Sequence, residues 1–263
     1  MTRNRRLAAT TTATGMALLY LPLLAVVVLS LNQSRLGLHW GGFTLNWYAR
    51  AWKNPAVLHA LTNTLLLAAA STAAATVLGT ALAIGIARYP WPRWTQATFS
   101  LLVHLPVVTP DIIFAAALLV VFRLLREMTG LFNLGMGTMI IAHVTFQIAF
   151  VALVVRARLA TIEPEIEEAA RDLYATNSDV LRKILLPLLA PGIVAGALLA
   201  FTLSLDDFVI SFFTSGPESA TLPIYIFSSL KRGLSPEIHA VSTVIFLVTA
   251  ILAVAMQLLS RSD

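Results

Sequence analysis

Cysteine is absent from this chain, and charged residues are scarce. Of its 263 residues, 58% are hydrophobic and only 12% are charged, whereas a typical soluble domain carries about 25% charge. The missing cysteine excludes a disulfide framework, a thiolate metal site and a cysteine nucleophile. The scarcity of charge excludes a large soluble domain and indicates a polytopic membrane protein.

Other patterns are missing as well, and each absence makes one class of binding partner or ligand unexpected. The net charge of +5 comes from Lys and Arg scattered through loops, with no basic patch interleaved with aromatics, so no nucleic acid partner is expected. The five histidines show no metal-ligand spacing, so no metal site is expected. We interpret His104 and His143 as polar residues of helix packing. Because no GxxxxGK[ST] loop occurs, the chain is not expected to bind ATP itself.

Long apolar runs dominate the sequence instead. A membrane-spanning helix needs about 20 apolar residues. The first run exceeds the roughly 7–15 residues of a signal-peptide core, and no small-residue cleavage site follows it, so an uncleaved helix is expected. We predict an all-α membrane protein, a single transmembrane domain over residues 1–263, with six transmembrane helices at 13–31, 63–87, 98–124, 134–156, 188–213 and 239–260.

The third apolar run contains two prolines, Pro106 and Pro110. Proline lacks the backbone N–H that a helix interior needs, so this segment is expected to be broken or to start irregularly. Irregular backbone at membrane depth is tolerated where it is buried in protein or lines a cavity. The alternative is a simple bend where the helix enters the membrane interface.

The distribution of Lys and Arg predicts the orientation. With the N-terminus in the cytoplasm, 11 of these residues fall on the cytoplasmic side and 7 on the opposite side. Since cytoplasmic loops carry the excess of positive charge, we expect both termini in the cytoplasm. Loop 157–187 then lies on the same side, and loops 32–62 and 214–238 lie outside.

Loop 157–187 is a long polar interruption between two apolar runs. Pro164 and the carboxylates around it suit the start of a helix, and a second helix opens with the capping-box pattern of Thr176 and Asp179. Asp179 is spaced to pair with Lys183 across one turn. The predicted apolar stripe of the first helix comprises Ile162, Ile166, Ala169, Ala170 and Leu173. Because the acidic face disfavours contact with anionic lipid, we expect this knob to bind a soluble partner.

This loop resembles the signature cytoplasmic loop of bacterial ABC-transporter permeases. The family pattern is Glu-Ala-Ala, three residues, Gly, nine residues, then Ile-x-Leu-Pro, and Glu168–Ala170 and Ile184–Pro187 fit it. Tyr174 stands at the Gly position. The resemblance implies a type I ABC importer (MetI-like) permease fold in which this loop is the cytoplasmic coupling helix. The residues implied in ATPase coupling are Glu168, Ala169, Ala170, Leu173, Tyr174 and Pro187.

Tyr174 is the one departure from that pattern. Gly adopts a positive φ at little cost, whereas a Tyr in the left-handed region costs about 1–2 kcal/mol. Two alternatives follow. Either the turn uses another geometry, or Tyr174 packs against the ATPase subunit.

Three carboxylates lie within the predicted spans. Asp111 follows Pro110, and Asp206 and Asp207 lie midway to late in the fifth apolar run. An acid at a helix centre costs about 2.5–3.5 kcal/mol on insertion scales, so these residues are candidates for function. On one helix, adjacent side chains diverge by about 100°, so one is expected to face the pathway and the other a neighbouring helix or the outer interface. The alternative is that these acids pair with basic residues or cap helices.

The segments Ser204–Phe208 and Ser235–Ile238 resemble permeases of the spermidine/putrescine ABC transporters, in particular the second of their two permease subunits. The likeness extends over nearly the whole chain, including 34–52, 109–122 and 142–155. It implies import of polyamines across the bacterial inner membrane. A flexible polycation needs carboxylates along its path, and aromatic faces add cation–π attraction. The expected pathway residues are Asp111, Asp206, Asp207, Trp47 and Phe208, with ordinary packing as the alternative for the two aromatics.

The resemblance also implies partners. An extracytoplasmic substrate-binding protein delivers substrate to a heterodimer of this chain and a second homologous permease subunit, surrounded by membrane lipid. Two ATP-binding subunits hold ATP and Mg and act on the coupling helices. No cofactor and no catalytic residue are expected in this chain.

Other classes of function fit less well. An ABC importer permease for another organic cation, an opine, an amino acid or ferric ion stays open. A proton-coupled secondary carrier normally uses a larger repeated bundle and leaves the coupling loop unexplained. In an intramembrane protease, adjacent aspartates on one helix are unable to share a proton across a cleft, and no HExxH or GxSxG motif occurs.

Overall fold

A computed structural model describes residues 2–34, 39–232 and 236–260 of the chain. Residues 35–38 and Ser235, which belong to two of the segments compared above, lie outside this range. The described helices are α1 (Thr2–Ser30), α2 (Asn46–Lys53), α3 (Pro55–Arg88), α4 (Arg93–Val108), α5 (Asp111–Thr129), α6 (Met136–Leu159), α7 (Pro164–Asp172), α8 (Asn177–Asp179), a π-helical turn (Val180–Leu185), α9 (Leu186–Asp206), α10 (Val209–Thr214), α11 (Leu222–Arg232) and α12 (Pro236–Ser260).

The apolar runs of the sequence coincide with the long helices. Four of the described helical stretches are long and apolar enough to cross a membrane: Ala9–Ser30, Pro55–Arg88, Met136–Leu159 and Asn177–Asp206. Helices α4 and α5 make a fifth span if they are taken together. In α12 the apolar helix of the described residues, Pro236–Ile251, is shorter. The structure therefore supports four or five spans, and the sixth stays a prediction.

The third apolar run is broken, as its prolines predict. Helices α4 and α5 meet at an angle of 112°, with Thr109 and Pro110 between them in extended conformations. Pro106 lies inside α4 and is buried. The bend thus occurs at the second of the two prolines.

The contacts within the chain divide it into two compact units. One comprises Met1–His59 and Tyr225–Ala250, and the other comprises Ala60–Ile224 and Ile251–Asp263. In the first unit, none of the apolar window of α1 is buried. An apolar helix surface that the protein does not bury suits contact with lipid.

The core of the second unit forms where α3, α6 and α9 approach closely. Val151 of α6 is fully buried. A Cβ atom on Gly79 would lie 2.8 Å from the Cβ of Val151, and a Cβ on Gly196 would lie 3.4 Å from its Cγ1. Small residues let membrane helices pack at short range, so these two glycines set the spacing of the three helices.

Candidate substrate and coupling sites

The fifth apolar run does not form one continuous helix. Helix α9 ends at Asp206, Asp207 is extended with φ −63° and ψ 122°, and α10 begins at Val209. The expectation that both aspartates lie on one helix is therefore wrong. Because of this break, the helical angle of about 100° between adjacent side chains does not apply to the two aspartates. Asp207 is half-buried, whereas Asp206 is exposed.

Asp207 caps the N-terminus of α10. Its Oδ2 accepts a hydrogen bond of 2.7 Å from the backbone N–H of Ser211, and its Oδ1 accepts one of 3.2 Å from that of Ile210. A carboxylate satisfies the free N–H groups of a first turn and complements the helix dipole. This is the helix-capping role that was the alternative for these acids.

A buried histidine links the same carboxylate to α6. Nε2 of His143 lies 3.3 Å from Oδ2 of Asp207 and 3.0 Å from the hydroxyl of Ser211. Its Nδ1 lies 2.8 Å from the hydroxyl of Ser204, which is itself 3.4 Å from that of Ser71. We call these five residues the His143 cluster. The prediction that His143 is a satisfied polar residue of helix packing is confirmed.

Asp206 differs from Asp207 in its surroundings. It is the last residue of α9 and is exposed. The carbonyl groups at a helix C-terminus carry partial negative charge, so the carboxylate and these carbonyls have charge of the same sign. Asp111 is also exposed, but it lies in the first turn of α5, where the positive end of the dipole stabilises it.

The two predicted aromatic residues are both engaged in packing contacts. The indole N–H of Trp47 donates a hydrogen bond of 2.8 Å to the carbonyl of Asn32, and the guanidinium carbon of Arg50 lies 5.0 Å from the ring centroid. Trp47 is buried. The ring of Phe208 lies 5.3 Å from that of Phe212. These contacts match the packing alternative for both side chains.

Helix α7 begins with Pro164 and ends in a left-handed turn. The N–H of Tyr174 donates to the carbonyl of Arg171 at 2.9 Å, and the N–H of Ala175 donates to that of Ala170 at 3.0 Å. This pair of bonds defines a Schellman motif. Tyr174 has φ 62°, so the turn keeps the geometry that suits Gly. The alternative in which Tyr174 imposes another turn geometry is wrong.

The tip of this turn is apolar and exposed. Leu173 is 82% exposed and Tyr174 is 95% exposed. Of the predicted apolar stripe, Ile162 and Ala170 are buried, whereas Ile166, Ala169 and Leu173 are exposed. The stripe is thus divided, with one part packed on the permease and another available to a partner. Glu168 and Pro187 are exposed as well.

The second helix of the loop starts as predicted. The hydroxyl of Thr176 accepts from the N–H of Asp179 at 3.2 Å, and the Asp179 carboxylate accepts from the N–H of Thr176 at 3.2 Å. Nζ of Lys183 lies 2.6 Å from Oδ1 of Asp179. The capping box and the ion pair are both confirmed. Sequence reasoning missed the π-helical turn Val180–Leu185 that joins α8 to α9.

Within the described residues, no group of three or more His, Asp or Glu side chains is placed to hold a metal ion. The features that stand out are a broken, acid-bearing membrane helix and a polar hairpin of short helices between two spans. These features are typical of a membrane transport component.

Comparison with known proteins identifies the class. The chain belongs to the family of binding-protein-dependent transport system inner membrane components, whose model matches residues 75–262. The chain is 38% identical over 246 residues to the spermidine/putrescine transport system permease protein PotC of Escherichia coli K12, covering 93% of this chain and 90% of that protein. It is 40% identical over 251 residues to the putrescine transport system permease protein PotI of the same strain, covering 95% and 89%. This membership confirms the prediction of a multi-pass membrane transport subunit that is not an enzyme.

A solved structure shows the fold independently. The chain resembles a subunit in the crystal structure of a bacterial alginate ABC transporter in complex with an alginate pentasaccharide-bound periplasmic protein. The TM-score is 0.75 at 18% identity, covering 99% of this chain and 96% of that chain. The predicted ABC importer permease fold is therefore confirmed.

Proposed function

We propose that this chain is the membrane permease subunit of an ATP-driven importer that moves polyamines into the cytoplasm. The observation that carries the proposal is the identity of 38–40% to two permeases named for spermidine and putrescine transport. That identity extends over more than nine-tenths of this chain, so it includes the spans and the cytoplasmic loop together.

The substrate pathway runs past Asp206. An exposed carboxylate at the C-terminal end of α9 supplies negative charge for an ammonium group, and the helix carbonyls add to it. Asp207 has a supporting role in this proposal, because its oxygens cap α10 and contact His143. Asp111 supplies a further acid. Phe208, next to the break, and Trp47 are the proposed aromatic faces, and the packing of Trp47 makes it the weaker of the two.

The cytoplasmic loop couples the permease to ATP hydrolysis. The exposed side chains Glu168, Leu173 and Tyr174 form the surface that meets an ATP-binding subunit, while Ala170 faces the permease core. Ala169 and Pro187 complete the proposed coupling residues. ATP and Mg are held by the partner subunits. The near-complete exposure of Tyr174 supports a contact between its ring and that partner.

The assembly around this chain follows from the same proposal. Two ATP-binding subunits serve a heterodimer of this chain and a second homologous permease, and an extracytoplasmic binding protein delivers the substrate. The chain forms one membrane domain in the bacterial inner membrane with both termini in the cytoplasm. The excess of Lys and Arg on the cytoplasmic side supports this orientation.

The test is ATP-dependent uptake of labelled putrescine and spermidine into vesicles. The complex is rebuilt with its ATP-binding subunits, partner permease and binding protein. The proposal is supported if unlabelled polyamines compete with this uptake, if neutral sugars and ferric ion leave it unchanged, and if Asp206→Asn abolishes it. ATPase stimulation by the binding protein carrying another substrate, without polyamine uptake, would leave an ABC importer and overturn the polyamine assignment.

A further inference from the structure

One carboxylate of helix α7 points into the protein. Glu167 is 5% exposed, whereas Glu163, Glu165 and Glu168 around it are all exposed. Burying a carboxylate is costly unless it is paired. The position of Glu167 therefore requires a partner with positive charge.

Arg88 is that partner, and it comes from a helix distant in sequence. Its Nε lies 2.6 Å from Oε1 of Glu167. Neither Nε nor Nη2 of Arg88 makes a hydrogen bond, and Oε1 of Glu167 accepts none, so this contact is an ion pair without a directed bond. The guanidinium of Arg171 lies farther away, at 3.7 Å from Oε2. Arg88 is thus the main counter-charge of Glu167.

The position of Arg88 shows which two helices the ion pair connects. Arg88 is the last residue of α3, where a positive charge also complements the helix dipole. The pair therefore joins the end of α3 to α7. Glu167 and Ala170 are one turn apart, and both are buried, so together they hold one face of α7 inward. Leu173 and Tyr174, which follow α7, are exposed instead.

A buried ion pair adds little net stability compared with apolar residues of similar volume, because desolvation offsets the attraction. Its value lies in orientation, since each charge excludes arrangements in which the other is unpaired. Rotation of α7 about its axis would separate Glu167 from Arg88. The pair thus selects one rotational position of α7.

We propose that the Arg88–Glu167 ion pair is the positioning contact through which movement of α7 is transmitted to α3. The proposal rests on the assignment of α7 as the coupling helix. When an ATP-binding partner displaces α7, the pair makes α3 move with it. Without the pair, α7 moves without α3, and ATP is hydrolysed without transport of substrate.

The first experiment measures coupling in the reconstituted complex. Uptake of labelled putrescine and ATP hydrolysis are recorded together for Arg88→Gln, Glu167→Gln and the charge exchange Arg88→Glu with Glu167→Arg. Arg93→Gln and Glu163→Gln, at exposed positions nearby, are the matched controls. Each single variant is expected to lower uptake per ATP hydrolysed by about 5-fold or more, the lower bound of typical coupling between sites. The exchange is expected to restore it, and the controls are expected to match wild type.

The second experiment does not depend on the substrate. Because the chain has no cysteine, Ala87→Cys and Asp172→Cys give it two labelling sites, at exposed positions of α3 and α7, and cysteine-free versions of the partner subunits are used. When the pair is intact, the distribution of distances between the two labels is expected to be narrow and the same with and without ATP. Glu167→Gln is expected to broaden this distribution or to make it change when ATP is added.

The outcomes separate this inference from the proposed substrate. Absence of putrescine uptake in the wild-type complex refutes the substrate, and the label distances still test the ion pair. Unchanged label distances in Glu167→Gln overturn the inference. The inference is also overturned if the loss of uptake equals the loss of assembled complex measured by size-exclusion chromatography. The ion pair would then be needed only for assembly. Failure of the charge exchange to restore coupling, with the complex intact, overturns it as well.

Discussion

Nε2 of His143 lies 3.3 Å from Oδ2 of Asp207, across the break between α9 and α10. This contact joins α6 to Asp207, the extended residue at which the fifth apolar run is broken. Because Asp207 also caps α10, the two neighbouring aspartates have different roles. Asp207 caps the helix that follows the break, and Asp206, at the end of α9, is exposed.

Asp206→Asn and Asp207→Asn are expected to separate function from stability. Asp206→Asn should abolish polyamine uptake and change the free energy of unfolding by no more than about 0.5 kcal/mol, since the side chain is exposed. Asp207→Asn should lower that free energy by about 1–3 kcal/mol, because the cap weakens and His143 loses a charged partner. Denaturant unfolding in detergent and vesicle uptake measure the two effects. Equal stability losses in both variants would contradict this division of roles.

His143→Ala is expected to destabilise the protein by about 1–3 kcal/mol. The substitution removes a hydrogen-bond partner of both Ser204 and Ser211 inside the bundle, and losing a partner of a buried polar group carries this cost. His104→Ala is the matched control, because His104 is exposed and its Nδ1 lies 2.6 Å from the carbonyl oxygen of Ser100 on the same helix. Similar unfolding midpoints for both variants would argue against a structural role for the His143 cluster.

Tyr174→Gly is expected to raise the free energy of unfolding by about 1 kcal/mol. Tyr174 has φ 62°, and glycine avoids the steric cost of that region. Asn tolerates the left-handed region better than most residues, so Tyr174→Asn should give a smaller gain. If the aromatic ring contacts the ATPase, both variants weaken binding of that subunit while stabilising the permease. A loss of stability in Tyr174→Gly would show that the ring contributes more to folding than its exposure suggests.

Gly216→Ala is expected to destabilise the loop after α10, whereas Gly85→Ala is expected to be neutral or stabilising. A Cβ on Gly216 would lie 2.2 Å from the carbonyl oxygen of Leu134, a backbone atom, while a Cβ on Gly85 in α3 meets nothing within 4 Å. Replacing an unobstructed helical Gly by Ala gains about 0.5–1 kcal/mol. Opposite signs of the change in unfolding midpoint are the expected result. The same sign in both would contradict the close approach at Gly216.

Local patterns explain which features were predictable from sequence. The capping box of Thr176 and Asp179 and the pair of Asp179 with Lys183 involve residues within a turn of one another, so their spacing alone predicted them. The bend at Pro110 followed from the missing N–H of proline. The division of the α7 stripe did not follow, because helical periodicity places Ile162, Ile166 and Ala170 near one another without saying which of them the core covers.

By itself, the sequence determined that this protein is helical and membrane-embedded, with a polar pair of short helices between two long apolar ones. The length of an apolar run and the spacing of residues are properties of the chain alone. Tertiary structure alone decided that α9 breaks at Asp207, that Asp207 turns toward His143, and that Glu167 is buried against Arg88. Each of these depends on a charge meeting a partner from a distant helix. The energy of burying a charge depends on whether that partner is present, and only the folded arrangement of the helices supplies it.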